Sequence, residues 1–397
     1  MNRPSAIITG LGAVSAAGAN VPETLESFAL GRRSAGPVTL FPTALACPVF
    51  ECRGVPADPA APGTRSVTLA LRAAGEAIAD SGMGNALPSD RVGVCLGTTV
   101  ACQLNDLDFY TAFRARGSAP MAAVDRFLKG NLAEAVARQV GATGPCLTVV
   151  NACSSGTDAI GIALSWIASG ACDAVLAGGA DELSRIPYDG FHALSVMSPA
   201  LCRPFDRDRR GLNLGEGAGV LVMEAPRFAS ARGRRAAVEL RGYGAACDAY
   251  HLTAPRPDGS GLEAAIRIAL QQSDIDPAAV DFVNAHGTAT RDNDKVEGST
   301  LFRVFGAGPS VLSTKGYTGH ALGAAGGLEA AFAVLALREG WLPASAGFEN
   351  QDPEIPLAAL RERTPVRRPC AVSTSLAFGG NNAALVFRRR AAREGQP

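Results

Sequence analysis

Cys153 is the residue best placed to act as a nucleophile. It lies in Asn-Ala-Cys-Ser-Ser-Gly (151–156), where a strand pattern ends and a helix pattern begins. The unpaired amide N–H groups and the positive dipole end of a helix N-terminus favour a thiolate over a thiol. The small residues that follow Cys153 would let a substrate approach closely. Position alone leaves a second interpretation open, which is a buried structural cysteine.

Two of the four histidines lie in glycine-flanked segments. His286 follows directly after the predicted strand Val280–Asn284, and His320 lies at a predicted helix start. Because α/β folds place ligand-binding groups at strand ends, both histidines are candidate site residues. His192 and His251 lack this setting, and we predict that they are structural or lie on the surface.

Lys315 and Glu329 flank His320, five residues before it and nine residues after it. A helix that begins at His320 would carry Glu329 roughly two and a half turns along, where its carboxylate could hold Lys315. Glu297 follows His286 by eleven residues. The alternative is that the lysine and both glutamates lie on solvated faces.

Phe378 lies on a Gly-Gly loop, Ala-Phe-Gly-Gly-Asn-Asn (377–382), after the predicted strand Ala371–Ser375. On such a loop the ring can swing and the backbone N–H can point into a pocket. An ordinary hairpin turn would need the same glycines. Near the N-terminus, Gly10-Leu-Gly-Ala-Val-Ser has Ser15 where a dinucleotide fingerprint has its third glycine, so we predict a simple glycine turn there.

Short apolar runs that end in glycine alternate with longer segments of helical spacing. This alternation indicates an α/β fold. The predicted strands are Ala6–Thr9, Val92–Leu96, Leu147–Val150, Ala174–Ala177, Gly219–Met223, Val238–Leu240, Val280–Asn284, Ser310–Ser313, Ala371–Ser375 and Ala383–Phe387. The helical segments include Thr64–Asp80, Gly156–Ile167, Leu262–Gln272 and Ala324–Arg338.

The chain resembles two copies of one unit. In the first half the strand Leu147–Val150 runs into the Cys153 segment and then into an alanine-rich helix. In the second half the strand Ser310–Ser313 runs into Lys315–His320 and then into another alanine-rich helix. Any α/β protein repeats strand, turn and helix, so chance similarity is the alternative to a true duplication.

The seam between the copies is placed in Pro226–Arg235, a stretch rich in Arg, Ala and Gly. We therefore predict two domains. The first is an N-terminal half, residues 1–230, with Cys153. The second is a C-terminal half, residues 231–397, that carries His286, Lys315 and His320. Each half alone would be too small for a separate function.

Composition excludes several classes of protein. The 397 residues include 37 basic and 37 acidic side chains, and this zero net charge argues against nucleic-acid binding. A chain that is 47% hydrophobic and 19% charged is not largely disordered. No apolar run reaches the roughly 18 residues that a membrane helix needs. The ten cysteines occur singly, without a CxxC pair, which predicts no metal site and a reduced, cytoplasmic protein.

Five blocks of sequence carry a resemblance to a known family. They are Asn151–Gly156, residues 203–211 followed by Gly215-Glu-Gly-Ala-Gly, Asn284–Thr290, Ser313–Gly327 and Phe378–Asn382. Together they resemble the β-ketoacyl-[acyl-carrier-protein] synthases, in the elongating Cys-His-His branch of the thiolase-like condensing enzymes. The resemblance covers nearly the whole chain. It implies an α/β thiolase-like fold, a duplicated αβαβα layered sandwich that is usually dimeric.

The resemblance also implies a reaction and a set of site residues. An acyl group on Cys153 would condense with malonyl-acyl-carrier protein, with loss of CO2, as in fatty-acid or polyene and polyketide biosynthesis. The implied roles are the nucleophile at Cys153, malonyl decarboxylation at His286 and His320, electrostatic tuning by Lys315 with Glu329, phosphopantetheine binding at Thr288 and Thr290, gating and oxyanion stabilisation at Phe378, and substrate binding at Asn382. No cofactor or metal is expected, because loss of CO2 drives the reaction. The substrates are expected to arrive on the phosphopantetheine of the carrier protein.

The partners implied by the resemblance are acyl-carrier protein and a second subunit, either an identical chain or a chain-length-factor-like one. Acidic carrier protein would dock on an arginine-rich run that contributes Arg203, Arg207, Arg209 and Arg210, although surface solvation is the simpler interpretation for at least two of these. The acyl pocket is expected near Val100–Tyr110 and Phe191–Met197, at the dimer interface.

Several residues separate this chain from neighbouring branches. The second histidine, His320, differs from the Cys-His-Asn set of initiating synthases, and Cys370-Ala-Val lacks the Cys-x-Gly motif of degradative thiolases. Asn381 and Arg291-Asp-Asn-Asp depart from the usual family pattern and favour a polyene or polyketide pathway. Two other hypotheses are a non-condensing subunit, which would resemble a chain-length factor, and a cysteine hydrolase of thioesters.

Overall fold

The chain folds into alternating strands and helices. The computed structural model describes residues 4–55, 64–84, 88–99, 107–122, 124–125, 131–234 and 236–390. Its helices are α1 (Val21–Leu30), α2 (Arg65–Ser81), α3 (Leu107–Arg116), α4 (Leu132–Val140), α5 (Ser155–Ser169), α6 (Arg185–Ala193), α7 (Pro226–Ala231), α8 (Ser260–Ser273), α9 (Arg291–Phe305), α10 (Lys315–Thr318) and α11 (Ala325–Glu339). Its strands are β1 (Ala6–Ser15), β2 (Val92–Gly97), β3 (Cys146–Val149), β4 (Ala174–Asp181), β5 (Gly217–Glu224), β6 (Val238–Cys247), β7 (Val280–Asn284), β8 (Ser310–Leu312), β9 (Trp341–Leu342), β10 (Thr364–Pro365), β11 (Cys370–Ala377) and β12 (Asn381–Arg389).

Ten of these strands form one mixed sheet whose order is the same in both halves of the chain. From edge to edge the order is β3-β2-β4-β5-β1-β6-β12-β11-β7-β8. Each half contributes five strands to this sheet. Numbered within each half in chain order, these five strands occur in the order first, fifth, fourth, second and third from the centre of the sheet outward. The halves join where Ala6–Ile8 of β1 pairs antiparallel with Val238–Leu240 of β6. The shared order confirms the duplicated fold that the sequence predicts.

Three groups of buried side chains define five layers. One group packs α2 and α4 against an outer face of the first half of the sheet. A second packs α8 and α9 against an outer face of the second half. Between them, the largest group joins α5 and α11 to strands of both halves. The layers therefore alternate helix, sheet, helix, sheet, helix, in agreement with the predicted αβαβα sandwich.

Helix α11 is buried on every side. All thirteen residues from Ala325 to Leu337 are buried, including the charged Glu329. A helix that is apolar all round belongs inside a protein rather than on its surface. The alanine-rich sequence of α11 is therefore explained by its place between the two halves of the sheet, and Glu329 is the exception that needs a chemical explanation.

The glycine turn predicted near the N-terminus is wrong. Strand β1 continues from Ala6 through Gly10 and Gly12 to Ser15. The glycines are needed because α2 lies directly on the strand: a Cβ on Gly10 would lie 2.0 Å from the Ala77 carbonyl oxygen. Close approach of a helix backbone, rather than a change of chain direction, accounts for this pair.

Glycines also let α5 and α11 reach the sheet and each other by backbone contact. A Cβ on Gly327 in α11 would lie 2.5 Å from the Gly179 amide nitrogen and 2.6 Å from the Gly219 carbonyl oxygen. A Cβ on Gly156 in α5 would lie 2.7 Å from the Gly327 amide nitrogen and 2.9 Å from the Gly323 carbonyl oxygen. Since only glycine fits such an approach, these residues bring the two helix N-termini together at one end of the sheet.

Replacing Gly327 by alanine should lower the free energy of unfolding by roughly 1–3 kcal/mol, because the new methyl group would collide with backbone atoms of β4 and β5. Gly75 is the matched control, since it lies in α2 and a Cβ there meets nothing within 4 Å. Gly75→Ala should stabilise the protein by about 0.5–1 kcal/mol. Urea denaturation measures both changes, and an unaltered stability of Gly327→Ala would contradict the packing.

Candidate active site

One cavity of about 360 Å³ brings together residues from both halves of the chain. Cys153, His286 and His320 all line it. The other predicted site residues on its wall are Thr288, Thr290, Phe378 and Asn382. Lys315 and Glu329 lie behind this wall. Lys315 contacts both His286 and Glu329.

A sharp turn between β3 and α5 presents Cys153 to the cavity. Ala152 has a φ of 48°, in the left-handed region that a non-glycine residue seldom adopts. Its carbonyl oxygen accepts hydrogen bonds from the Ser155 hydroxyl at 2.6 Å and from the Thr99 hydroxyl at 3.0 Å. These bonds hold the turn in its strained shape, and Cys153 stands at its tip.

The Phe378 loop is a hairpin and also faces the sulfur. Strands β11 and β12 pair antiparallel up to Ala377 and Asn381, and Gly379 and Gly380 adopt φ values of 86° and 80°. The Phe378 backbone N–H lies close enough to the Cys153 sulfur to lower the pKa of the thiol. Both alternatives considered for this loop therefore hold together: an ordinary hairpin turn directs an N–H into the pocket.

The two cavity histidines meet edge to face. The ring centroids of His286 and His320 are 5.1 Å apart, at an interplanar angle of 87°. The Nδ1 atom of His286 accepts from the Lys315 ammonium at 3.1 Å. The Nδ1 atom of His320 accepts from the Leu322 backbone N–H at 3.2 Å. Since a neutral ring carries one proton, both rings must hold it on Nε2.

Burial keeps both rings uncharged. It lowers the pKa of His286 and His320 well below the usual histidine value, and the nearby Lys315 charge lowers both further. At neutral pH each imidazole therefore offers one N–H donor. Two such donors on one cavity wall suit an oxygen that becomes negatively charged during a reaction.

Lys315 is a buried ammonium whose three donors all have acceptors. It donates to His286 Nδ1, to the His286 carbonyl oxygen at 2.5 Å and to the Glu329 carboxylate. Burial raises the pKa of Glu329 to about 7, against the opposing effect of the Lys315 charge. The alternative of solvated side chains is wrong for this pair, because each is about 2% exposed.

The predicted helix start at His320 is wrong. Leu322–Ala324 forms a 3-10 turn, and α11 begins only at Ala325. Glu329 therefore lies in the second turn of α11. There its carboxylate accepts from the ammonium of Lys315, which belongs to α10. The short helix α10 has no periodic pattern long enough to show in the sequence.

Two buried carboxylates of α9 support the loop after His286. Glu297 accepts from the backbone N–H groups of His286 at 2.8 Å and Gly287 at 2.7 Å. Asp294 accepts from the backbone N–H groups of Ala289 and Phe205. The spacing of Glu297 after His286 is visible in the sequence, whereas Asp294 was not predicted. Their separation of three residues, which places them on one helix face, was the signal available.

Other predicted site residues have partners within the protein. The Thr288 and Thr290 hydroxyls hydrogen-bond each other at 2.9 Å. The Asn382 amide nitrogen donates to Asp248 and to the Gly380 carbonyl oxygen. Asn382 therefore fixes the Phe378 hairpin as well as lining the cavity. The Phe378 ring stacks on Phe191, with ring centroids 5.3 Å apart.

The prediction that Arg209 contributes to a docking surface is wrong. Arg209 is 3% exposed and donates to Asp352 at 2.5 Å and to the carbonyl oxygens of Thr290 and Arg291. An arginine held inside the protein cannot meet a partner. Arg207 and Arg210 are exposed and Arg203 is half-buried. Of the predicted acyl-pocket segments, Phe191, Ser195 and Val196 line the cavity, whereas residues 100–106 lie outside the described residues.

Comparison with known proteins decides the family. The model of the β-ketoacyl synthase N-terminal domain matches residues 52–229, and that of the C-terminal domain matches residues 237–349. The chain is 33% identical to a 3-oxoacyl-[acyl-carrier-protein] synthase 2 of a Synechocystis species, over 98% of this chain and 99% of the relative. This chain belongs to the β-ketoacyl synthase family. It is therefore an enzyme of the acyltransferase class.

Solved structures of similar proteins agree with this assignment. The structure described as the ishigamide ketosynthase/chain length factor matches with a TM-score of 0.91 at 32% identity, over 98% of this chain and 100% of the other. A type II polyketide acyl-carrier protein in complex with its ketosynthase matches through a chain of 25% identity, with a TM-score of 0.90 over the same shares. These likenesses establish the thiolase-like sandwich for the present β-ketoacyl synthase.

In this cavity the thiol form of Cys153 is favoured over the thiolate. Burial raises the pKa of Cys153 to about 11, although the Lys315 charge and the Phe378 N–H both act to lower it. Loss of solvation therefore opposes the thiolate that a helix N-terminus favours.

Alkylation of Cys153 by iodoacetamide should accelerate about tenfold for each pH unit from pH 7 to pH 10, since the reacting thiolate fraction rises in that proportion. Mass spectrometry of the Cys153 peptide measures the rate after brief exposure. Cys247, an exposed thiol of the same chain, calibrates the reagent in the same digest. A plateau below pH 8 would show that the helix N-terminus prevails over burial.

Proposed function

We propose that this β-ketoacyl synthase joins an acyl group held on Cys153 to the two-carbon unit of malonyl-acyl-carrier protein, with release of CO2 and a 3-oxoacyl-carrier protein. One observation carries the proposal. A thiol and two neutral imidazoles, each with its proton on Nε2, share one cavity of the chain. Such a cavity supplies a nucleophile together with donors for an enolate oxygen.

Acyl transfer to Cys153 comes first. The sulfur attacks the thioester carbonyl of acyl-carrier protein, its S–H bond breaks, and the proton leaves with the departing carrier thiol. Because burial raises the pKa of Cys153 to about 11, the proposed route moves this proton as the new C–S bond forms. The backbone N–H groups of Cys153 and Phe378 stabilise the oxyanion, and the Phe378 N–H already faces the sulfur.

Decarboxylation of the malonyl group follows. The bond to the carboxylate breaks, CO2 leaves, and the electron pair remains as an enolate whose oxygen accepts from Nε2–H of His286 and His320. The enolate carbon then attacks the acyl carbonyl on Cys153, the C–S bond breaks, and the thiolate takes up a proton from water. The sum consumes one proton for each CO2 released.

The remaining site residues hold this arrangement. Lys315 keeps the His286 proton on Nε2 by occupying Nδ1, and Glu329 balances the lysine charge within α11. Thr288 and Thr290 present hydroxyls to the phosphopantetheine arm, and Phe378 gates the acyl pocket beside Phe191. No step needs a metal or redox cofactor, because loss of CO2 drives formation of the carbon–carbon bond.

Acyl-carrier protein and a second ketosynthase-like subunit are the proposed partners. Similar structures are described as a ketosynthase with its acyl-carrier protein and as a ketosynthase/chain length factor. Strand β3 lies at the edge of the sheet, and Leu147 within it and Val150 directly after it are exposed. This edge therefore offers a surface for pairing to either an identical chain or a chain-length-factor-like chain. The proposed condensation could serve either fatty-acid or polyketide biosynthesis. Asn381 and the segment Arg291–Asp294, which depart from the usual family pattern, favour polyketide biosynthesis.

The place of action proposed from the sequence is the cytoplasm. All nine cysteines in the described part of the chain carry free thiols, which suits a reducing compartment. None of the helices described above combines the length and apolar character that crossing a bilayer requires.

The geometry favours condensation over the two other hypotheses. A thioester hydrolase needs a base that takes a proton from water. Here both Nδ1 atoms accept hydrogen bonds from within the protein, and both Nε2 atoms carry protons. A non-condensing subunit would have no use for a buried Lys315 that fixes the tautomer of His286. Measured CO2 release from malonyl-carrier protein separates all three.

His320→Ala should slow malonyl decarboxylation about 10²-fold, because it removes one donor from the enolate oxygen. Acyl loading of Cys153, followed as an acyl adduct by intact-protein mass, should fall far less. Cys153→Ala provides the control for loading and should show no adduct. Equal losses of both activities in His320→Ala would refute the separate roles, and an adduct on Cys153→Ala would refute the nucleophile.

Arg207→Glu should raise the KM for carrier-bound malonyl substrate roughly 3- to 10-fold, with little effect on a malonyl-pantetheine thioester, since only the carrier protein meets the surface charge. Arg227→Glu is the matched control. Arg227 is exposed and paired with Asp173, just as Arg207 is exposed and paired with Asp208. Asp173 directly precedes β4, so the Arg227 pair lies at the opposite end of that strand from Asp181. Equal effects of Arg207→Glu on both substrates would exclude docking at Arg207.

A further inference from the structure

Asp181, at the end of β4, is a buried carboxylate that no step above uses. It is completely buried. One of its oxygens accepts from the Thr98 hydroxyl at 2.5 Å. The other accepts from the Thr99 backbone N–H at 2.8 Å and from the Gly323 backbone N–H at 2.7 Å. The carboxylate therefore joins the end of β2 in the first half to the 3-10 turn before α11 in the second half.

The first set of contacts leads to the nucleophile. Thr99, whose backbone Asp181 holds, donates its hydroxyl to the Ala152 carbonyl oxygen at 3.0 Å. Ala152 immediately precedes Cys153 and has the unfavourable φ of 48°. A residue in this conformation stays there only when its surroundings hold it. Asp181 thus supports the turn that presents the sulfur.

The second contact leads to His320. The Gly323 N–H held by Asp181 is next to the Leu322 N–H that donates to His320 Nδ1. Leu322 also has a positive φ, 51°, so this turn needs outside support as well. We expect loss of the Asp181 bond to loosen the Leu322 N–H from the ring, which would leave the His320 proton less firmly on Nε2.

We propose that Asp181 is a positioning residue that ties the Cys153 turn to the His320 turn and keeps the His320 proton on Nε2. Its catalytic consequence rests on the function proposed above. Its charge does not explain its presence, because a negative charge near Cys153 raises the pKa of the thiol and so opposes catalysis. The hydrogen bonds explain it, and they cross between the two halves of the chain.

Two substitutions separate the hydrogen bonds from the charge. In Asp181→Asn, the amide oxygen can still accept from Thr99 and Gly323 and the amide nitrogen can donate to the Thr98 hydroxyl, so the connection survives without charge. In Asp181→Ala the connection is lost. Asp281→Ala is the control for general destabilisation, since Asp281 is also buried and also accepts a backbone N–H, that of Arg367.

The main readout is the His320 tautomer in the full-length protein without substrate. The chain has only four histidines, so the imidazole 15N–1H spectrum of histidine-labelled protein resolves them with single-histidine variants. We expect an Nε2–H signal for His320 in wild type, Asp181→Asn and Asp281→Ala, and mixed Nε2–H and Nδ1–H signals in Asp181→Ala. An unchanged His320 signal in Asp181→Ala would overturn the proposal.

Activity provides the second readout. Decarboxylation and acyl loading should both fall more than tenfold in Asp181→Ala and stay within threefold of wild type in Asp181→Asn. Equal losses in both variants would assign the role to charge and overturn the proposal. If wild type released no CO2, the proposed function would fail, whereas the spectrum would still decide the role of Asp181.

A milder variant covers the case in which Asp181→Ala does not fold. Thr99→Val removes only the Thr99 hydroxyl, which donates to the Ala152 carbonyl oxygen. It should lower acyl loading about fivefold and leave the His320 signal unchanged, because the Gly323 contact remains. Unaltered loading in Thr99→Val would overturn the link from Asp181 to the nucleophile turn.

Discussion

The contact between the N-termini of α5 and α11 is the constraint on which the rest of the structure depends. Cys153 stands just before α5, and His320 stands just before the turn that leads into α11. Gly156 and Gly327 let the two helices meet with backbone against backbone, at a distance that any side chain would increase. Because each helix comes from a different half of the chain, this contact brings a thiol and an imidazole N–H donor from distant parts of the sequence into one cavity.

Hydrogen bonding within this cavity decides what its residues can do. Each imidazole uses Nδ1 inside the protein, one on Lys315 and one on the backbone N–H of Leu322. As a result both rings donate toward the cavity and neither can act there as a base. The buried ammonium of Lys315 in turn needs Glu329, because an unpaired charge inside the central layer would be strongly destabilising. Glu329, the single acidic residue in the buried part of α11, is therefore explained by its contact with Lys315, which in turn contacts His286 on the cavity wall.

Sequence reasoning reached the fold and the residues that line the cavity because both leave local patterns. Strand–helix alternation and the glycine-flanked positions of Cys153, His286 and His320 can be recognised within a few residues. Features that depend on distant partners could not be recognised in this way. Arg209 resembles its exposed neighbours in an arginine-rich run, yet it is buried by Asp352, 143 residues further along. Asp181 has partners in Thr98 and Gly323 that no spacing connects. His320 was expected at a helix start, but the left-handed φ of Leu322, an ordinary helix-forming residue, separates it from α11, which begins at Ala325, next to the predicted start at Ala324.

Burial of Cys153 has a consequence for the resting enzyme inside a cell. Peroxides and electrophilic metabolites react with thiolates, and a thiol with a pKa near 11 is almost entirely protonated at cellular pH. An acyl thioester escapes this restriction because its own departing sulfur can take the proton away. We therefore expect the same desolvation to slow oxidation of this thiol between turnovers, while a thioester substrate, whose departing sulfur can take the proton, reacts more readily.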